Sequence, residues 1–350
     1  AAFADLWTWS LSEVELGQIV ARQVAISSWF NRLEEAVDLG LAGLARLGLA
    51  FRRSPALPLA VLEVLRGWLA LGRRPLEDLQ ALPELQDPLV RARLDVLVEV
   101  SFVAPYVSPP LLLALAGYST RTIRRHGYHV GLSRLLTQLG MAIGVLGKAR
   151  AAAALCDRAL ALAQLRSTRP LDLVNARALA QFMVWPASRS LRGIVADFEA
   201  VVGQSCDLGL HFEAGYISVA GGFYSLEIDR PLAEVAAMFD RFEARNPGFG
   251  GSVNLPGIVM LRGHIDMLVD AAAPPSAEAF ASAIAMLRYM GIILEAVAWT
   301  LLGEYERATS TMDSMPSDYP QVLIGVLQIP RFAMYSAILE ARRCPRAAAD

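Results

Sequence analysis

The chain has 350 residues, 55% of them hydrophobic and only 19% charged, with a formal net charge of −2. This composition excludes an intrinsically disordered chain, and the charge provides no basic field for a nucleic-acid backbone or an anionic membrane. The three cysteines, Cys156, Cys206 and Cys344, are far apart and match no motif. They fit a reducing, cytoplasmic compartment in which thiols act as small buried hydrophobes.

Helical periodicity recurs along the whole chain, and sustained two-residue alternation is scarce. In chain order the pattern predicts helices over 11–29, 32–47, 57–71, 88–102, 109–126, 129–146, 149–165, 171–185, 190–208, 211–227, 231–245, 254–271, 277–289, 291–302, 305–314 and 321–342. Ser10 with Glu13 is expected to form a capping box at the first. Leu33, Ala36, Val37, Leu41, Leu44 and Leu47 form the buried stripe of the second. Asp87-Pro88 and Ser108-Pro109 each place a capping residue before a first-turn proline. The uncharged run 101–120 contains Pro105, Pro109 and Pro110. It reads as a loop followed by a buried helix, not a membrane span, despite a mean hydropathy of +0.40. Leu191, Ile194, Val195, Phe198, Val201 and Val202 share one helix face, as do Leu232, Val235, Ala236, Phe239 and Phe242. Gly48, Gly72, Gly127, Gly147 and Gly303 fall where helices should end, and Pro330 should kink or split the last helix. The start lacks the basic and apolar regions of a signal peptide. The chain opens without Met and closes on Ala-Ala-Ala-Asp, so a fragment of a longer protein is expected.

One pattern recurs at helix-turn-helix junctions. It stands as Asn31-Arg32-Leu33-Glu34-Glu35-Ala36, as Gly147-Lys148-Ala149-Arg150-Ala151-Ala152 and as Gly303-Glu304-Tyr305-Glu306-Arg307-Ala308. A degraded copy occupies Asp229-Arg230-Pro231-Leu232-Ala233-Glu234. Gly or Asn supplies a left-handed residue, Leu or an aromatic plugs the gap, and a small Ala admits the next helix. The intervals approximate multiples of about 37–41 residues, in the range of helix-pair repeats. The expected fold is all-α, an α-α superhelix of tetratricopeptide-like helix pairs. It spans 1–350 as a single region with a soft break near 246–253.

Motifs that carry chemistry are incomplete. Gly147-Lys148 lacks the following hydroxyl and the upstream glycine of a phosphate loop. Asn246-Pro247-Gly248-Phe249-Gly250-Gly251-Ser252 reads as a flexible inter-repeat loop. His126 and His129 flank Gly127 at a helix end. They do not read as metal ligands; His126 with Arg121, Arg124 and Arg125 reads as a basic complement to that helix end. Cys206 with His211 lacks an orienting third group, and His264 and Asp266 face different ways on one helix. No catalytic, cofactor-binding or metal residue is assigned, and no cofactor is expected. Trp185, Phe212, Tyr216, Phe223 and Tyr224 cluster across two neighbouring predicted helices. They read either as the lining of a concave binding face or as inter-helix core.

Leu79-Gln80-Ala81-Leu82-Pro83-Glu84-Leu85-Gln86-Asp87-Pro88 resembles a linker in the helical middle region of large bacterial multidomain ATPases. Three further segments are similar to that region in the same order. They are Leu139-Gly140-Met141 through Gly147 with Arg158-Ala159-Leu160, Phe182-Met183-Val184-Trp185-Pro186, and Phe212-Glu213-Ala214-Gly215-Tyr216 through Ser225 with Arg230-Pro231-Leu232. The likeness covers roughly residues 15 to 310. Leu85 stands where Met is common, and Pro186 where a basic residue is more usual. In such proteins a serine/threonine-kinase-like domain and a STAND-type ATPase precede the helical region. GAF, histidine-kinase or cyclase domains follow it, and the catalytic groups lie outside the segment.

The resemblance implies a non-catalytic solenoid that couples an ATPase module to a signalling output domain through protein contacts. Nucleic-acid contact by this segment and membrane insertion are not expected, whereas self-association is. One alternative is the repeat region of a large ATP-dependent transcriptional regulator. Another is an all-helical small-molecule-binding protein or enzyme with a pocket near His211 and Tyr216.

Overall fold

A computed structural model describes residues 12–30, 32–166, 168–228, 230–246, 255–270, 285–319 and 328–343. The fold class is all-α. Among the described residues there is no strand, only an isolated parallel bridge between Glu84 and Tyr128. None of their helices is long and apolar enough to cross a membrane. Contacts divide the chain into two compact units, Ala1–Ser190 with Asp207–Glu213 and Leu191–Cys206 with Ala214–Asp350. Residues 247–254, where the sequence suggests a soft break and a Gly-rich loop, lie outside the described residues, as does Cys344.

The first unit begins with α1 (Glu13–Trp29) and α2 (Leu33–Arg46). A capping box on α1 is formed by Ser12 with Glu15; Ser10, which the sequence pairs with Glu13, lies outside the described residues. The sequence Ser10-Leu11-Ser12-Glu13-Val14-Glu15 offers both pairings at the same spacing. α3 (Leu57–Gly67) runs on through a π-helical turn, Trp68–Gly72. A short α4 (Leu76–Gln80), absent from the expected helices, precedes α5 (Pro88–Val107) and α6 (Pro109–His126). Asp87 caps α5 as expected, its Oδ1 accepting the N–H groups of Leu89 and Val90 at 2.9 and 3.2 Å. Ser108 makes no side-chain cap on α6. Residues 101–107 are helical, not a loop: α5 runs through Pro105 to Val107, and the chain turns extended only at Ser108, before the double proline that opens α6. The unit continues with α7 (Leu132–Val145), α8 (Ala149–Leu165) and α9 (Pro170–Leu179), the last extended by irregular turns to Ala187. α1 packs on α2 and α5, α3 on α6, and α7 on α6, α8 and α9.

The segment that carries the family resemblance is a strap across this unit. Its Leu79 and Leu85 are buried. Arg166 donates to the carbonyls of Leu82 and Gln80 at 2.6 and 3.1 Å. Arg158 donates to the Gly72 carbonyl at 2.6 Å, and Arg91 to that of Leu85 at 2.6 Å.

The second unit comprises most of α10 (Leu191–Asp207) and α11 (His211–Ser225), then α12 (Leu232–Arg245), α13 (Leu255–Asp270) and α14 (Ala285–Leu301). α15 (Tyr305–Asp313) and α16 (Gln328–Arg343) complete it. α14 is continuous where a break before Gly291 was expected. That glycine gives the Met260 sulfur room against the helix. The described part of the last predicted helix starts at Gln328, two residues before Pro330, and residues 320–327 lie outside the described residues. Ala296, Ala308, Met312 and Leu339 form a core cluster covered by Trp299, Tyr305, Phe332 and Tyr335.

The recurring junctions share one backbone geometry. Gly147 and Gly303 have φ of 79° and 83°. At each, the glycine N–H reaches back three residues and the next N–H five, which closes the preceding helix. Arg32 makes the same five-residue bond to Ser27. The residues that open the next helix, Arg32, Lys148 and Glu304, have φ/ψ of −93/58°, −101/52° and −83/64°. Ala36, Ala152 and Ala308 are all fully buried. The degraded copy does not follow suit. Pro231 stands as the N-cap of α12 with φ/ψ of −55/134°, extended where the other copies have ψ near 50–65°.

Candidate functional site: a leucine row beside an arginine-lined groove

α3 is apolar on both sides. Ala60, Val64, Gly67 and Leu71 are buried, while Leu59, Leu62, Leu65 and Leu69 on the opposite face are 62, 41, 45 and 61% exposed. The inner face meets α6 at backbone contact. A methyl group on Gly67 would lie 2.7 Å from the Gly117 Cα, and one on Gly117 would collide with the Glu63 carbonyl. Two glycines therefore set the depth at which α3 docks, and that depth leaves the leucine row facing outward.

One edge of the row borders a groove. Phe51, on the segment between α2 and α3, meets Tyr118 edge-to-face at 5.3 Å and 88°. Arg121, one turn further along α6, pairs with Glu63 of α3 and lies 5.9 Å from the Tyr118 ring centre. Tyr118 and Arg121 form the wall shared by two hollows. The first, about 250 Å³, is lined by Leu49, Phe51, Pro55, Leu59 and Ala114. The second, about 300 Å³, lies between α5 and α6 and is lined by Arg93, Leu97, Arg125 and His126, with Asp87 at its rim. The Asp87 carboxylate is engaged in capping α5. Arg93 donates its Nε–H to the Leu47 carbonyl at 2.7 Å. Arg125 is exposed and makes no ion pair among the described residues. The second hollow is therefore net basic, and the first is mostly apolar with the Glu63–Arg121 pair in its lining.

A second constellation is sealed inside the same unit. Arg134 of α7, 1% exposed, grips Glu99 of α5 through two N–H···O bonds of 3.0 and 3.1 Å. It also lies 3.5 Å from Asp172 and stacks 4.8 Å over Phe102. Asp172 takes two bonds from Arg169, at 2.6 and 3.3 Å. Arg169 and His129 both reach Asp95, at 3.5 and 3.4 Å. Burial opposes the charge on Arg134, yet Glu99 and Asp172 hold its pKa above the ordinary arginine value. Burial raises the Glu213 carboxyl, with Arg134 and an N–H from Asn175 at 3.4 Å opposing the shift. These charges are committed to one another.

The aromatic residues singled out from the sequence fall in both units. Trp185 is buried in the first, with Arg189 stacked on it at 4.1 Å. The Phe212 side chain lies outside the described residues. Tyr216, Phe223 and Tyr224 are buried in the second unit, with Tyr224 6.1 Å from Phe198. Cys206 accepts an N–H from Asn246 at 3.1 Å. Burial pushes the Cys156 thiol far up and lowers His264, whose Nδ1 sits 2.6 Å from the Met260 carbonyl. Among the described residues no three His, Cys, Asp or Glu side chains converge as metal ligands.

Comparison with protein-family models, with curated proteins and with solved structures finds no match.

Proposed function

We propose that the chain is a non-catalytic docking module. In this reading it is a cytoplasmic stack of helix pairs that couples an ATPase to a signalling output domain in a bacterial signal-transduction protein. The supporting observation is the leucine row on α3. Four leucines stand in solvent on a helix whose opposite face is already buried. Apolar patches of roughly a few hundred Å² on a folded surface usually mark a protein interface. The mutual pairing of Arg134, Glu99, Asp172 and Arg169 supports the same reading, since it leaves those groups holding helices together. The likeness of residues 79–88 to the ATPase middle region supplies the class of partner.

A thermal-shift comparison tests the reading. The ATPase module that the resemblance places before this region should raise the melting temperature of the purified chain, and ATP alone should leave it unchanged. Stabilisation by nucleotide or a metabolite in the absence of the module, or turnover by the chain itself, would contradict it.

A further inference from the structure

Taking α3 as a docking face, we propose that the adjoining groove seats the acidic end of an amphipathic helix from the partner protein. Leu59 belongs both to the exposed row and to the apolar hollow, so the apolar surface runs on into the groove. At Tyr118 and Arg121 the lining changes from apolar to basic. Arg93, Arg121 and Arg125 come from two helices and face two carboxylates, Asp87, which is engaged in capping, and Glu63, which is paired with Arg121, so the lining keeps a positive excess at Arg93 and Arg125.

Basic side chains in the last turn of α6 offset the carbonyl end of that helix, which accounts for Arg124, Arg125 and His126. That leaves Arg93 on α5, which donates to the Leu47 carbonyl but makes no ion pair among the described residues, whereas Arg121 is already paired with Glu63. A partner helix that continues from the row past Leu59 into the groove lies over Arg93 and Arg125. A neutral or basic end would strip them of water with nothing in return, whereas carboxylates would form charge-assisted hydrogen bonds. The occupant is therefore a helix with leucine-like side chains along one face and glutamate or aspartate at one end. The row fixes its position and the groove fixes its direction.

The probe is a fluorescein-labelled amphipathic helix of leucine and alanine closed by three glutamates, with a twin closed by three lysines, read by fluorescence anisotropy on the full chain. Leu59→Glu and Arg125→Glu alter exposed side chains on either side of the Tyr118–Arg121 wall. The glutamate peptide should bind more tightly than the lysine twin, and each variant should weaken it by about tenfold or more. The Arg125→Glu chain should prefer the lysine twin.

Equal affinity for the two peptides would overturn the proposal. So would binding of the glutamate peptide that Leu65→Glu abolishes while Arg125→Glu leaves it unchanged, although α3 would then stand as a docking face. Deletion of residues 1–11 that strengthens binding would give the face to the chain's own N-terminal segment, and loss of self-association in Leu65→Glu would give it to a second copy. Either result sinks the partner-helix assignment. Failure of both peptides together with stabilisation by the ATPase module overturns the groove alone. Failure of both assays removes the docking reading as well.

Discussion

Arg134 and Glu99 face each other across the α5–α7 contact in a two-pronged pair, the guanidinium almost completely removed from solvent. Removing one member leaves the other buried without its counter-charge. Arg134→Ala is expected to cost about 3–5 kcal/mol, read from urea denaturation. Replacing both residues with methionine should recover most of that loss, because two apolar side chains of similar reach need no partner. Equal destabilisation by the single and double variants would show that the pair contributes little beyond packing.

Gly117 makes a separate prediction about how α3 is held. Alanine there must displace the Glu63 backbone, so Gly117→Ala should destabilise the first unit by about 1–3 kcal/mol. Gly193 in the first turn of α10 has nothing within 4 Å of an added methyl. Gly193→Ala should instead gain about 0.5–1 kcal/mol from a less flexible unfolded chain. Denaturation midpoints of the two variants should move in opposite directions.

The pH dependence follows from Glu213. Burial raises its pKa above the ordinary 4.5, so the folded chain keeps a proton that the unfolded chain releases. The stability it contributes is full below pH 4.5 and is lost as pH rises through the folded pKa. Glu213→Gln should flatten this fall. Wild type and variant should converge at low pH, with the variant gaining on wild type above it. A constant difference across a pH series of urea titrations would mean that Glu213 is not the titrating group.

The junctions were the most legible part of the fold. A left-handed glycine followed five residues later by a small residue specifies a turn through local sterics, and Gly147 with Ala152 and Gly303 with Ala308 obey it. The first helix start was harder to read, because Ser10 and Ser12 each lie three residues before a glutamate. The candidate site was not legible. Leu59, Leu62, Leu65 and Leu69 have helical spacing, but so do Ala60, Val64 and Leu71, and only the contact of Gly67 with Gly117 decides which face is covered. The groove joins residues near 50, 90 and 120, and no local pattern announces that assembly. The aromatic residues drew notice for their size, which in Phe223 and Tyr224 serves the core.

The central claim is that a protein partner covers the leucine row of α3. Its most direct test is titration of the ATPase module proposed as its partner into the chain and into a Leu62→Glu/Leu65→Glu variant, with the melting temperatures of both chains measured alongside. The account expects the variant to fold as stably as wild type and to bind at least about tenfold more weakly, since both leucines already stand in solvent. Unchanged affinity in a normally folded variant would contradict it.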